Sequence, residues 1–259
     1  MSLAPRRAAL LAVGLALVLV APASVSATHS WGGYHWARIS NPFTVKLVDN
    51  VSSVWDPSLA TTSSDWTQSA VLNTPIVSGS ASRVKQCRAS AGTVQVCNAT
   101  YGNNGWLGVA SISITGGTHI TQATVKLNDT YFNTSTYNTP AWRNMVMCQE
   151  VGHAFGLDHQ DTNFTNANLD TCMDYTNDPT SNQHPNQHDY DELVTIYSHL
   201  DATSTLASAT TSKGGPAGNA APAAWGRLVA VTNAGYGATY LLDLGAGNLV
   251  LTHVLWAGR

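Results

Sequence analysis

"CQEVGHAFGLDH", Cys148 to His159, is the stretch on which the reading of this chain turns. Residues i, i+3 and i+4 of an α-helix share one side, so Gln149, Glu150 and His153 face the same way. Gly156 stands three residues after His153. Glycine takes a left-handed backbone without steric cost, so the helix is expected to stop there. The chain can then turn and bring His159 back toward the same point. Two imidazoles and a carboxylate thereby converge. Two imidazoles in this pattern suit a divalent metal ion, which needs about three protein ligands to leave one position open. A carboxylate beside such an ion can take a proton from a water as it attacks a carbonyl. The position before the glutamate, where a third imidazole could stand, is Gln149. Its side-chain oxygen is a neutral, hard donor and a weaker partner than imidazole for a borderline ion.

The flanking residues agree with this reading. Thr139 can cap the helix and Pro140 fits its first position, so the helical pattern runs from Ala141 to Gly156. A long loop follows, from Leu157 to about Asn186, and loops of that length are usually functional or disordered. It contains "TCMDY" (171–175), in which Met173 can form an apolar floor under the site. The chain has four cysteines, Cys87, Cys97, Cys148 and Cys172, and three pairings are possible. Cys87–Cys97 is favoured because it closes a hairpin-sized loop. Cys148 precedes Gln149 and Cys172 precedes Met173, so a bridge between them would pin the helix to the floor.

Residues 149–159 and 171–175 resemble the metzincin metallopeptidases, in particular their matrixin-like branch. They are similar to a secreted microbial group that carries Cys-Gln-Glu-Val-Gly-His in place of His-Glu-x-x-His. The resemblance covers most of residues 30–200 and is specific at 149–175. It implies an α+β fold, a twisted mixed sheet with a zinc-site helix and a C-terminal helix. It implies Zn2+ held by His153 and His159, with Gln149 as the third candidate. Glu150 is then the general base, Tyr175 stabilises the oxyanion, and Met173 and Gly156 shape the site. "ITQATVKLND" (120–129) resembles the edge strand along which a substrate lies, and "DYDELVTIYSHL" (189–200) resembles the closing helix. The implied activity is a secreted zinc-dependent endopeptidase acting on proteins or peptides. The alternative is a catalytically impaired module of the same fold that binds extended peptides or cell-surface ligands. Gln149 can ligate, stand aside for another group, or mark a site that holds no metal.

Other features bound the setting. Arg6 and Arg7 precede an apolar run and the small residues Val25 and Ala27, the pattern of a signal peptide over 1–27. Its removal takes the formal net charge from −3 to −5. No basic cluster offers a surface for nucleic acid or an anionic membrane. After cleavage the expected product is an extracellular monomer with a peptidase-like domain over 28–201. Residues 202–223 are low in complexity and read as a flexible linker. Residues 224–259 read as a small β appendage of three strands, too small for a core of its own and so expected to pack on the main domain, bind a ligand or self-associate. Strands are also expected over 41–50, 93–102, 105–114 and 118–129, the last with a bulge. A helix or broken helix is expected over 55–72, with Trp66, Ala70 and Val71 inward, and a second over 188–200. His119 is expected at the surface. His184 and His188 are candidates to line the cleft or replace a ligand, Asp161 to orient His159, and His35 to belong to an N-terminal packing element.

Overall fold

A computed structural model describes Met1 and residues 28–79, 84–206, 224–232 and 235–258. The signal-peptide pattern and most of the linker lie outside the described residues. The strands are β1 (His35–Trp36), β2 (Phe43–Thr44), β3 (Lys46–Asn50), β4 (Leu72–Asn73), β5 (Ile76–Ser78), β6 (Thr93–Ala99), β7 (Trp106–Thr115), β8 (His119–Asn128), β9 (Arg227–Val231), β10 (Gly237–Asp243) and β11 (Leu249–Trp256). The helices are α1 (Asp56–Trp66), α2 (Asp129–Phe132), α3 (Pro140–His153) and α4 (Gln187–Ile196). The class is α+β: a nine-stranded mixed sheet and a two-stranded one, β2-β4, with few helices.

The sheet runs β5-β3-β6-β8-β7-β11-β10-β9, and β1 pairs with the start of β8. β5, β3, β6 and β8 are parallel, whereas β7, β11, β10 and β9 continue antiparallel. One expectation changes here. β8 is an interior strand, held by β6 on one side and β7 on the other, so it offers no free edge for a substrate. β6 and β7 are consecutive in sequence, but β8 lies between them. The expected bulge is present. Ser113 pairs with Gln122 and Ile114 with Ile120, leaving Thr121 as the extra residue of β8.

The C-terminal segment forms three strands and packs on the main domain as part of its sheet. β11 pairs with β7 from Leu249↔Ile114 to Trp256↔Trp106 and continues the main sheet. Val250, Leu251, Val254 and Leu255 of β11 are buried. Full burial of each such side chain stabilises by about 1.5–3 kcal/mol, so the four together hold the strand by an upper bound on the order of 10 kcal/mol.

The core fills the space between sheet and helices. α1 and α3 pack on each other, and α3 lies across β7. Trp36, Trp55, Trp66, Leu47, Val125, Val146 and Val151 are enclosed there. Trp66 and Val71 are buried as expected, but Ala70 is exposed because α1 has ended before it. α4 starts with a capping box in which Asn186 and Asp189 exchange side-chain-to-backbone bonds. Leu193, Ile196 and Tyr197 are buried against the core, while Leu200 lies beyond the helix and is exposed. Both favoured disulfides are present, Cys87–Cys97 and Cys148–Cys172. No helix among the described residues is long and apolar enough to cross a membrane.

Candidate metal centre

α3 begins as its sequence dictates. The Thr139 side chain accepts from the backbone N–H of Trp142, and Pro140 takes the first turn. The regular helix ends at His153, one turn before Gly156, which carries the reversal with φ +92°. A Cβ at Gly156 would come within 2.0 Å of the Tyr34 carbonyl oxygen. Glycine is therefore required both by conformation and by the close approach of the N-terminal segment. Trp31 closes that approach, its N–H donating to the Gly156 carbonyl at 2.7 Å.

The reversal brings the two histidines together. His153 Nδ1 donates to the Leu157 carbonyl at 2.9 Å, and His159 Nδ1 donates to Asp158 Oδ1 at 3.2 Å. The orienting carboxylate is thus Asp158 and not Asp161, whose side chain instead meets Asn163 and Asn166. With Nδ1 protonated, each neutral ring presents a lone pair on Nε2. The two Nε2 atoms lie 3.2 Å apart. Burial, with the neighbouring histidines, drives both imidazoles well below their usual pKa, so both are neutral. Two lone pairs facing at this distance repel unless a cation lies between them. Zinc–nitrogen bonds of about 2.0–2.1 Å in a tetrahedron put ligand atoms about 3.3 Å apart, which matches the observed separation.

A third imidazole comes from outside the motif. His253, on β11, is buried beside the pair, and ligand atoms of His153, His159 and His253 all lie within 4.8 Å of one another. These three residues form a group that can hold a metal ion. His253 Nδ1 lies 3.2 Å from Glu150 Oε2, and its Nε2 lies 2.9 Å from the Tyr175 hydroxyl. Burial holds the His253 pKa down to about 3. Burial raises Glu150 to about 8, against the opposing pull of His153. Ligation by His253 therefore requires one of its two present partners to give way.

Gln149 is anchored. Its amide donates to the carbonyls of Cys172 at 2.9 Å and Asp174 at 3.4 Å, while its Oε1 is buried without a hydrogen-bond partner among the described residues. The amide thus ties α3 to the methionine turn and leaves one oxygen available, as the donor chemistry of a metal site would allow. The Cys148–Cys172 bridge fastens the same two segments. Met173 lies against Gly152, where an added Cβ would stand 2.6 Å from its Sδ. The methionine floor therefore depends on that glycine. Tyr175 stacks on His159 with ring centroids 4.0 Å apart.

The remaining candidates lie elsewhere. His184 pairs with Asp65 at 2.7 Å, and His188 stacks on His29. His119 and His35 meet at the start of β8 and do not reach the centre. His253 escaped the motif-based reading because it is about a hundred residues downstream of Glu150. A signal for it exists: Leu251, His253 and Leu255 share one face of a strand, and an imidazole amid that apolar face needs a polar partner inside.

A pocket of about 270 Å³ adjoins the centre, reached past Tyr34, His159, Tyr175 and residues of β9 and β10. No protein-family model matches the chain, and no curated protein matches it.

Proposed function

We propose that this chain is a secreted zinc-dependent endopeptidase of the metzincin type, kept closed by its own C-terminal strands. The observation that carries the reading is the facing pair of His153 and His159, with Glu150 one helical turn away on the same face. A bound zinc ion would supply a Lewis acid for a peptide carbonyl and for water. Glu150 is positioned to take a proton from the attacking water and pass it to the leaving amine. The Tyr175 hydroxyl, stacked in place by His159, is positioned to donate to the oxygen that becomes negative. His153 and His159 would hold the ion through Nε2, with His253 as a third donor while β11 is in place and Gln149 Oε1 once it leaves. Export is supported by the signal-peptide pattern and by the two disulfides.

The closed arrangement follows from β11. It runs antiparallel along β7, where an extended substrate would add as a strand, and it sets His253 between Glu150 and Tyr175. Glu150 is fully buried, so a polypeptide cannot reach it until β11 leaves. A second reading is favoured by the same burial: three enclosed imidazoles can form a closed, non-catalytic metal centre with β11 as a permanent strand.

One experiment separates them. Leu255→Asp puts a charge into the β7–β11 contact and loosens the strand. The peptidase reading predicts at least a tenfold rise in cleavage of an unstructured protein, abolished when Glu150→Gln is added. Unchanged cleavage by a Leu255→Asp variant that still binds zinc and yields β11 to added protease would reject the peptidase reading.

A further inference from the structure

A second cluster of metal-binding groups lies at the opposite end of β8, built from segments distant in sequence. β1 runs parallel to the start of β8, which places His35 beside His119. The chain leaving α4 adds His199 and Asp201. Its anchor is backbone pairing, since the Asp201 N–H donates to the Arg38 carbonyl at 2.9 Å. Three ligand atoms converge there, His35 Nε2, His119 Nε2 and Asp201 Oδ1, and His199 Nε2 lies beside His35 and Asp201.

The distances fit one ion held by His35, His119 and Asp201. Asp201 Oδ1 lies 3.4 Å from His35 Nε2, 3.2 Å from His119 Nε2 and 3.7 Å from His199 Nε2. His35 Nε2 and His199 Nε2 are 3.2 Å apart. Zinc bonds of about 2.0–2.2 Å to nitrogen and oxygen in a tetrahedron give ligand separations near these values. His35, His119 and Asp201 fall within 4.8 Å of one another, and His199 closes on His35 and Asp201.

The hydrogen bonds around the cluster are those of an outer shell. His35 Nδ1 donates to the Gly33 carbonyl at 2.9 Å, so Nε2 of the neutral ring is a lone pair. That lone pair faces a carboxylate oxygen and a second imidazole nitrogen. Asp201 Oδ2 is occupied separately, accepting from Arg38 Nη1 at 2.8 Å and from the Arg38 N–H at 3.1 Å. Oδ1 alone is turned to the three rings. Remote nitrogens and oxygens bound to protein, with near ones facing a common point, are how metal ligands are commonly oriented. His35 and Asp201 form the buried base of the cluster; the His119 and His199 side chains are 33% and 52% exposed and form a rim through which an ion can enter.

We propose that His35, His119 and Asp201 form a second metal site, distinct from the centre on α3, that takes a divalent ion of the zinc class, with His199 at its rim. Two imidazoles and one carboxylate suit zinc better than magnesium or calcium, which prefer oxygen ligands. The site would be structural, joining segments distant in sequence. It would clamp the N-terminal strand and the end of α4 to β8. The competing occupant of the same space is a proton on an imidazole, which would leave the cluster an ion-pair network.

The test uses the full chain, stripped of metal and titrated with Co2+ or Zn2+. In a His153→Gln/His159→Gln variant, the clamp predicts that one metal equivalent still binds and that added zinc raises the melting temperature. Adding His119→Gln and His199→Gln is expected to remove that equivalent and the shift. Retention of both in the fourfold variant would overturn the proposal, as would absence of binding in the twofold one. If the fourfold variant does not fold, His119→Gln alone suffices in the otherwise unaltered chain. Its partly exposed side chain contributes little to packing, and the affinity of one equivalent should fall at least tenfold. Unchanged affinity of every equivalent overturns the site.

Discussion

His253 Nδ1 lies 3.2 Å from Glu150 Oε2, so the last strand of the chain touches the one carboxylate that the α3 motif provides for chemistry. The same imidazole completes a set of three with His153 and His159. In the proposed centre, His253 is thus the candidate for the position that the motif fills with Gln149. The expected consequence is that His253→Ala weakens zinc binding at this centre by at least tenfold, since even partners of ligands change affinity by about 10–100-fold. Titration of metal-free protein with zinc in competition with a chelator checks it; unchanged affinity would show that His253 only fills space.

Gly108 on β7 faces Glu150. A Cβ there would stand 2.6 Å from Glu150 Oε1 and 2.8 Å from Val146 Cγ1. Gly108→Ala is expected to push the carboxylate aside at a cost of about 1–3 kcal/mol in stability. In the Leu255→Asp background it should lower kcat more than tenfold without changing metal content. Denaturant unfolding and a cleavage assay measure the two effects separately.

The motif, its cap, the chain reversal at Gly156, both disulfides and the closing helix were legible in the sequence because each rests on local chemistry. Thr139 and Pro140 act within one turn, and Gly156 acts through its own backbone. The order of the sheet was not legible in that way. Nothing in "GWLGVASISI" and "THITQATVKLND" says that the second strand inserts between the first and β6. Nor does the alternation of "LVLTHVLW" say which edge it will join. His253 and the His35–Asp201 cluster depend on those long-range pairings, so local pattern could mark an odd histidine but could not assign its partners.

The Cys148–Cys172 bridge closes a loop with a sequence separation of 24. Loss of loop-closure entropy in the unfolded chain makes it worth about 3 kcal/mol. Cys148→Ser/Cys172→Ser should lower the denaturation free energy by roughly that amount. It should also loosen the Gln149 contacts to the Cys172 and Asp174 carbonyls, so zinc is expected to dissociate faster. Equilibrium unfolding and stopped-flow chelation give the two readouts.

Gln149→His tests whether the missing motif histidine is still wanted. The amide holds two buried carbonyls, and an imidazole in its place can donate to one at most through each ring N–H. Leaving a buried acceptor unpaired costs about 1–3 kcal/mol. The expected outcome is a less stable protein with no additional metal equivalent, followed by thermal unfolding and elemental analysis.

Metal content tests the central claim most directly. The full chain, dialysed after exposure to zinc, is predicted to retain one equivalent at the α3 centre beyond that at the His35–Asp201 cluster. His153→Gln/His159→Gln should retain exactly one equivalent fewer than the unaltered chain. Equal zinc content in the two proteins would contradict the metal centre and, with it, the proposed peptidase.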